Sequence, residues 1–144
     1  MSFKFSNFAL CSIPIRDNMG IEYCTVEHAY QASKSNLREE RLAIARVTTP
    51  GKAKRMGKNI TLGPNWEEIK LKLMKFFLSQ KFECPEHYHV LIGSKGHIVE
   101  DNAWHDNFWG VCHCTQCPGT GQNQLGILLM ELRGKLRQEE YKCL

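Results

Sequence analysis

Residues 25–34 have the sequence T-V-E-H-A-Y-Q-A-S-K, and we expect a helix to begin there. Thr25 is a good N-terminal cap, because its hydroxyl can accept a hydrogen bond from an amide of the first turn. Few helix-breaking residues follow, so the pattern predicts a helix that continues to about Leu37. The other elements of the chain are placed outward from this helix.

Four polar residues lie along one face of this predicted helix. Glu27, Tyr30, Gln31 and Lys34 are three or four residues apart, which places them on one side. One interpretation is a solvated face with Glu–Lys pairing, worth about 0.2–0.5 kcal/mol. The other is a pocket wall, in which the carboxylate moves protons and the lysine binds phosphate or attacks a sugar aldehyde. Helix geometry alone leaves both open.

Helical patterns dominate the rest of the chain. The longest one carries Ile69, Leu73, Phe76 and Phe77 at helical spacing, and Pro85 ends it. We expect a small sheet from short strands in the first 24 residues and near Glu100, and therefore a helix-dominated α+β fold. The further predicted helices are Glu39–Val47, a segment after Pro50, Trp66–Phe82, Glu86–Ile92 and a last helix from near Asn123.

Length and composition indicate one globular domain over residues 1–144. The chain has 42% hydrophobic and 24% charged residues and a net charge of +4, all ordinary for a soluble domain. No run of about 18 apolar residues could cross a membrane, and the N-terminus lacks the apolar region of a secretory signal. We therefore expect a cytoplasmic protein without a membrane partner. The sequence does not indicate an oligomeric state.

A second group of chemically active residues lies in D-N-F-W-G, residues 106–110. Trp109 could stack on a nucleobase while Asp106 accepts a hydrogen bond from a ribose hydroxyl. The alternative is a core tryptophan with a capping aspartate.

A glycine-rich segment follows at a predicted helix start, where backbone amides could bind an anion. Its sequence is G-T-G-Q-N-Q-L-G, residues 119–126. There, Gly126 is expected mainly to permit close packing.

Seven cysteines and several lysines allow further interpretations. The cysteine count is odd, so we expect no disulfide framework. The zinc candidates are Cys112, Cys114 and Cys117, with the fourth ligand open among Cys84, Cys143, His105 and His113. Reduced cysteines without metal are the preferred interpretation.

The lysines and one arginine form two groups. The first group is a solvated face or a phosphate site and consists of Lys52, Lys54, Arg55 and Lys58. The second group is expected to be solvated and consists of Lys70, Lys72 and Lys75.

The order of motifs resembles one known family. Its motifs are F-S-N-F (5–8), T-V-E-H-A-Y-Q-A-S-K (25–34), P-G-K-A-K-R-M-G (50–57), N-W (65–66), Q-K-F (80–82), I-V-E-D (98–101), D-N-F-W-G (106–110), G-Q-N-Q-L-G (121–126) and L-L-M-E-L-R (128–133). Together they resemble the YbiA-like, or NADAR, family over about residues 3–136. The loop with the cysteine cluster is shorter in many members, so it lies outside the match in detail.

The resemblance implies a helix-rich α+β domain and an N-glycosidase activity. Family members hydrolyse phosphoribosylated intermediates of riboflavin synthesis, or remove ADP-ribose from modified guanine in nucleic acid. The implied partners are therefore a small phosphoribosyl or ADP-ribosyl substrate or an ADP-ribosylated nucleic acid, and no cofactor is expected. The motif match assigns Glu27, Lys34 and Asp106 to catalysis, and it assigns Asn7, His28, Tyr30, Gln31, Lys54, Glu100, Trp109 and Asn123 to substrate binding.

Two routes could break the ribose C1–N bond. In direct hydrolysis, Glu27 or Asp106 activates water and stabilises the sugar cation. In the covalent route, which we favour, Lys34 attacks C1 of the ring-opened sugar and forms a Schiff base.

The sequence also leaves two other functions open. They are a module that binds ADP-ribose without cleaving it and a small zinc-containing domain that binds nucleic acid.

Overall fold

The computed structural model describes residues 3–143, which divide into two compact units. One unit is Ser6–His87, and the other contains the chain from Tyr88 onward together with the short 3-10 helix Phe3–Phe5. None of the described helices is both long and apolar enough to cross a lipid bilayer. A single domain over residues 1–144 stays a prediction.

The unit Ser6–His87 consists of a short hairpin and a helical layer. Strands β1 (Ile15–Arg16) and β2 (Glu22–Tyr23) pair antiparallel. They are followed by α1 (Val26–Ala32), α2 (Arg38–Arg46), α3 (Pro50–Gly57) and α4 (Trp66–Lys81), and the first residues of α5 (Pro85–Gly93) complete the unit.

Helix α1 is the centre of this unit. All seven of its residues are buried, and it contacts α2, α3, α4 and both strands. The Thr25 hydroxyl accepts a hydrogen bond from the amide of His28, which confirms the predicted cap. A helix that packs on every side has no solvated face, so its polar residues must be accommodated inside the unit.

The predicted continuation of α1 to Leu37 is wrong. The helix ends at Ala32, and the Ser33 hydroxyl donates to the carbonyl of Ala29 at 2.7 Å. The carbonyl of Lys34 then accepts from the amide of Gly63, a residue distant in sequence. Serine hydroxyls compete with the backbone ladder, and the long-range bond holds the chain in a turn. Lys34 is therefore beyond the helix end.

A satisfied polar network joins the hairpin to α2. The Asp17 carboxylate accepts from the Tyr23 hydroxyl at 2.7 Å and from Arg41 at 3.1 Å. Its other oxygen accepts from the amides of Met19 and Ile21. The side chains of Asp17 and Arg41 are only 1% and 5% exposed, so this ion pair is buried and well bonded.

The second unit contains a small parallel sheet and the last helix. Strands β3 (Asp101–Asn102) and β4 (Val111–Cys112) pair parallel, and α6 spans Gln124–Lys142. The expected sheet shared by the early and late strands is therefore wrong, because each pair forms its own sheet. β4 escaped prediction because a two-residue strand among glycines and cysteines shows no alternating pattern. The helix-dominated α+β fold is confirmed.

Candidate active site

Lys34 lies just beyond the end of α1, beside two aromatic rings. Its side chain is partly buried, and its Nζ lies 5.6 Å from the centre of the Tyr30 ring. The Tyr30 ring in turn packs against Trp66 on α4, with centroids 5.3 Å apart and a 56° angle between the planes. The aromatic rings give the amine an apolar neighbour that excludes water.

Glu27 lies one helical turn before Gln31 and is held by it. The Gln31 side-chain amide donates to Glu27 Oε1 at 2.8 Å, and both residues are buried. The Gln31 carbonyl oxygen is buried without a hydrogen-bond partner among the residues that the structure describes. Gly57 packs so closely on Gln31 that a Cβ atom there would overlap the amide group. The contact with α3 therefore fixes the amide that orients the carboxylate.

The charges around Lys34 have opposite effects on its pKa. Burial lowers the pKa of Lys34 most, Glu27 raises it, and the positive charges of Lys54 and Lys70 lower it further. The net result is a pKa below the ordinary value for lysine. A larger fraction of this amine is therefore neutral, and hence nucleophilic, than for a solvated lysine.

The predicted solvent exposure of Lys70 is wrong. It was expected to be a solvated lysine on the long helix, but its side chain is only 14% exposed and pairs with Glu67. Trp66 and Lys70 are four residues apart on α4, so both face the same side as Tyr30 and Lys34. Helical spacing from the N-W motif could have identified both.

Asn7 and His28 lie at the beginning of α1. The Asn7 carbonyl accepts from the amide of Glu27 at 3.0 Å, and its buried side-chain oxygen has no hydrogen-bond partner in the described chain. His28 Nε2 donates to the carbonyl of Val47 at 3.0 Å, so Nδ1 accepts from the Thr25 hydroxyl at 2.7 Å. Burial lowers the pKa of this ring. His28 thus secures α1, and a substrate role for it stays a prediction.

Asp106 and Trp109 belong to the second unit. One Asp106 carboxylate oxygen accepts from the backbone amides of Phe108 at 3.2 Å and Trp109 at 2.9 Å. Aspartate therefore shapes the turn of the D-N-F-W-G segment, as the capping interpretation expected. The partly buried Trp109 ring meets the Phe108 ring edge-on at 4.8 Å. Their catalytic and substrate roles stay predictions.

Asn123 joins the Glu100 region to the beginning of α6. Its side-chain amide donates to the carbonyl of Ile98 at 2.8 Å, and its side-chain oxygen accepts from the amide of Glu100 at 2.9 Å. A Cβ atom on Gly126 would overlap Ile98 and Asn123, as expected for a close-packing glycine. The roles of Glu100 and Asn123 in substrate binding stay predictions.

The idea of an anion site at the beginning of α6 is wrong. The amides of residues 123, 124 and 125 donate to the carbonyls of Gly110, Phe108 and Trp109, respectively. Because these amides already have partners, they are unavailable to an anion. Instead, they fasten the D-N-F-W-G segment to the last helix.

The unit Ser6–His87 thus brings together Glu27, Tyr30, Gln31, Lys34 and Lys54, five of the residues predicted from the sequence. It adds Trp66 and Lys70, which the sequence analysis did not include. The result is a partly buried amine near the Glu27 carboxylate, one amide, two aromatic rings and two further cations, of which Lys70 pairs with Glu67. Such a group can bind an anion and can form or break a bond to a carbonyl carbon.

Comparison with known proteins identifies relatives over almost the whole chain. The NADAR domain family matches residues 2–137. A protein named N-glycosidase YbiA from Shigella flexneri serotype 5b is 38% identical over 94% of this chain and 82% of its own length. The Escherichia coli K12 protein of that name is 36% identical over 94% of this chain and 82% of its own length.

Two further comparisons extend this result. The NMR structure of the E. coli protein YbiA matches with a TM-score of 0.75, covering 96% of this chain and 80% of that one at 36% identity. A maize protein named riboflavin biosynthesis protein PYRR, chloroplastic, is 32% identical over 92% of this chain, which corresponds to 23% of that longer protein.

Proposed function

The chain belongs to the NADAR family and is an N-glycosidase, and on this premise we propose that it hydrolyses the ribose C1–N bond of a phosphoribosyl or ADP-ribosyl compound. The observation that carries the proposal is the partly buried Lys34 amine with its lowered pKa, between Glu27 and two other lysines. A carboxylate alone would suffice for direct hydrolysis. A lysine made nucleophilic by its surroundings supports the covalent route.

Phosphate binding follows from the surplus of positive charge. Lys34, Lys54 and Lys70 are close enough for the latter two to lower the pKa of the first. Glu27 acts on Lys34 and Glu67 pairs with Lys70, so three cations meet two carboxylates. Like charges held together destabilise a protein unless an anion joins them. A phosphate or diphosphate on the sugar supplies that anion, so substrate binding relieves the repulsion.

The covalent step exchanges one imine for another. A ribose linked to an exocyclic amine opens to an imine at C1, and neutral Lys34 adds to this carbon. The original nitrogen then leaves as a free amine with a proton that Glu27 delivers, and Lys34 keeps C1 as a Schiff base. Water adds to that Schiff base, releases the sugar as an aldehyde and restores the Lys34 amine. The net reaction is hydrolysis, with no oxidant or cofactor.

The residues around Lys34 have separate tasks in this scheme. Gln31 holds Glu27 by a 2.8 Å hydrogen bond, which keeps the carboxylate in one orientation. Tyr30 lies beneath the amine, and Trp66 supports Tyr30. The buried Asn7 oxygen is an acceptor that a sugar hydroxyl could satisfy, and unsatisfied buried acceptors cost about 1–3 kcal/mol. Asp106 and Trp109 stay predicted contacts, to be tested by substitution.

The substrate is tested with a panel of compounds. We would incubate the protein with a phosphoribosylated aminopyrimidine, NAD, ADP-ribose and ADP-ribosylated guanine in DNA, and detect products by mass spectrometry. The expected result is release of free base or amine from the first or the last compound. Binding without any product would instead support a module that only recognises ADP-ribose, and no binding at all would refute the proposal.

The covalent route is tested by reduction during turnover. Borohydride should trap the sugar on the protein, with the added mass on the peptide that contains Lys34. Lys34→Gln is the negative control, and Lys54→Gln should still be trapped at Lys34. Turnover without trapping, together with activity that survives Lys34→Gln, would exclude the Schiff base and leave direct hydrolysis with Glu27.

A further inference from the structure

Four potential metal ligands lie close together in the second unit. In sequence they are distant from the lysines of the candidate active site. They are His105, Cys112, Cys114 and Cys117, and their ligand atoms all lie within 4.8 Å of one another. His105 Nδ1 is 3.3 Å from the sulfur of Cys114 and 3.5 Å from that of Cys117. One imidazole and three thiols is a ligand set typical of structural zinc.

The distances agree with tetrahedral coordination. With Zn–S bonds of about 2.3 Å and Zn–N bonds of about 2.0 Å, a tetrahedron places nitrogen and sulfur about 3.5 Å apart. The two observed nitrogen–sulfur distances are close to that value. All seven cysteines are free thiols, so no disulfide consumes these sulfurs. A small rotation of the side chains would bring the four atoms around one ion.

Two of these sulfurs already accept hydrogen bonds from neighbouring N–H groups. The Cys112 sulfur accepts from the amides of His105 at 3.3 Å and Cys114 at 3.5 Å, and the Cys117 sulfur accepts from the Asn107 side chain at 3.4 Å. His105 has a left-handed backbone, with φ of 66°, which is uncommon for a residue with a side chain. Local strain that directs an imidazole towards three sulfurs is typical of a binding site.

The structure also decides between the candidates for the fourth ligand. His113 lies between two of the cysteines in sequence, but its Nε2 pairs with the Asp101 carboxylate at 2.6 Å. Cys143 caps the far end of α6, and Cys84 belongs to the other unit, where its sulfur meets the Ser12 hydroxyl. His105 is thus the ligand that completes the set, and its spacing of seven residues from Cys112 matches no standard zinc motif.

We propose that His105, Cys112, Cys114 and Cys117 form a structural Zn²⁺ site that fastens the D-N-F-W-G loop to strand β4. Four protein ligands fill a tetrahedron, so the ion has no open position for a water or substrate. His105 directly precedes Asp106, and Asn107 bonds to a ligand sulfur. The ion therefore fixes the segment that carries Trp109, and its preference for thiolate and imidazole favours Zn²⁺ over Mg²⁺ or Ca²⁺.

The test measures metal directly and does not require activity. Protein purified without a metal-affinity tag, dialysed and kept reduced, is analysed by mass spectrometry for bound metals. We expect about one Zn²⁺ per chain in the wild type and in the Cys143→Ser control, and a loss of at least tenfold in the Cys114→Ser/Cys117→Ser double variant. Metal-free wild type, or equal loss in Cys143→Ser, would overturn the proposal.

A second measurement covers the case in which the double variant fails to fold. Reduced wild-type protein stripped of metal is titrated with Co²⁺. Tetrahedral thiolate coordination gives intense visible absorption and sulfur-to-metal charge transfer that saturate at one equivalent. Weak, octahedral-type absorption would overturn the site. Since neither readout involves substrate, a negative result here would not bear on the glycosidase activity, and an inactive protein could still hold one Zn²⁺.

Discussion

Replacing Lys34 by arginine separates its two proposed tasks. Arginine keeps the positive charge but stays protonated, with a pKa above about 12, so it can bind phosphate but cannot attack C1. If Lys34 only anchored phosphate, its whole contribution would be one charge-assisted hydrogen bond, about 1.5–3 kcal/mol. At about 1.4 kcal/mol for each factor of ten, complete removal would lower kcat/KM by about 10- to 150-fold.

If Lys34 only binds phosphate, the structure predicts that its replacement lowers kcat/KM by an amount at the lower end of that range. Lys54 and Lys70 act on the same amine, so they remain to bind the anion when one cation is lost. Arginine would lose even less than a neutral residue. If Lys34 is the nucleophile, however, kcat for Lys34→Arg should fall by about 10³-fold or more, the scale seen when a covalent nucleophile is removed.

The assay is steady-state and single-turnover release of the amine product from the substrate that the panel identifies. Lys54→Arg is the matched control, because it makes the same chemical change in a neighbouring lysine and should leave kcat within a few fold of wild type. If the Lys34→Arg variant keeps its kcat within tenfold of wild type, the conclusion that Lys34 is the nucleophile is refuted. Lys34 would then be an anchor, and the Schiff base would have to be abandoned.

Four other predictions follow from the same unit. Glu27→Gln should lower kcat by about 10²–10⁴-fold in the same assay, since it removes a proton carrier. Lys70→Gln should weaken substrate binding and raise KM, because it removes one of the two cations beside Lys34. Arg41→Met should cost about 3–5 kcal/mol and lower the midpoint of thermal unfolding by about 10 °C, whereas exposed Arg46→Met on the same helix should have little effect. Burial alone raises the pKa of Asp17, but hydrogen bonds from Tyr23, two amides and Arg41 outweigh it, so the folded pKa is lowered. Its stabilisation is present above the unfolded pKa of about 3.9 and is lost as pH falls through the folded value, so urea midpoints should decline more steeply below about pH 4 in wild type than in Asp17→Asn.

Helix locations were predictable because capping residues and breakers act locally. Thr25 caps α1 as expected, and the helices predicted after Pro50 and from Glu86 begin at Pro50 and Pro85, next to their expected positions. The end of α1 could not be predicted, because it depends on the Lys34 carbonyl meeting Gly63, twenty-nine residues away in sequence. The strand β4 was missed for a similar reason, since a two-residue strand is defined by its partner Asp101–Asn102 and not by its own pattern.

The candidate site was predictable in part, by spacing within one helix. Glu27, Tyr30, Gln31 and Lys34 are neighbours in sequence, so the turn geometry of α1 suffices to group them. Lys70 comes from another helix, and only the packing of α4 on α1 brings its charge to Lys34. His105 is a comparable case, because its left-handed backbone and not its spacing directs it to the three cysteines.

Two polar clusters in the unit Ser6–His87 show how structure distinguishes a supporting network from a working one. Around Asp17, the carboxylate has four hydrogen bonds and one opposite charge, so every group is satisfied and the cluster favours folding. Around Lys34, by contrast, burial and then two like charges lower the pKa of the amine. The side-chain oxygen of Gln31, beside Glu27, is buried without a partner in the described chain.

A protein under selection for stability alone would replace such a cluster with apolar residues or complete its pairing. The accumulation of cations is explained if a bound anion interacts with them during each catalytic cycle. The cost of this arrangement is then part of the chemistry, because burial first, and the two neighbouring cations after it, lower the pKa of Lys34 and make its amine reactive. A fully satisfied lysine would be more stable in the fold but would remain an ammonium ion, which cannot attack C1.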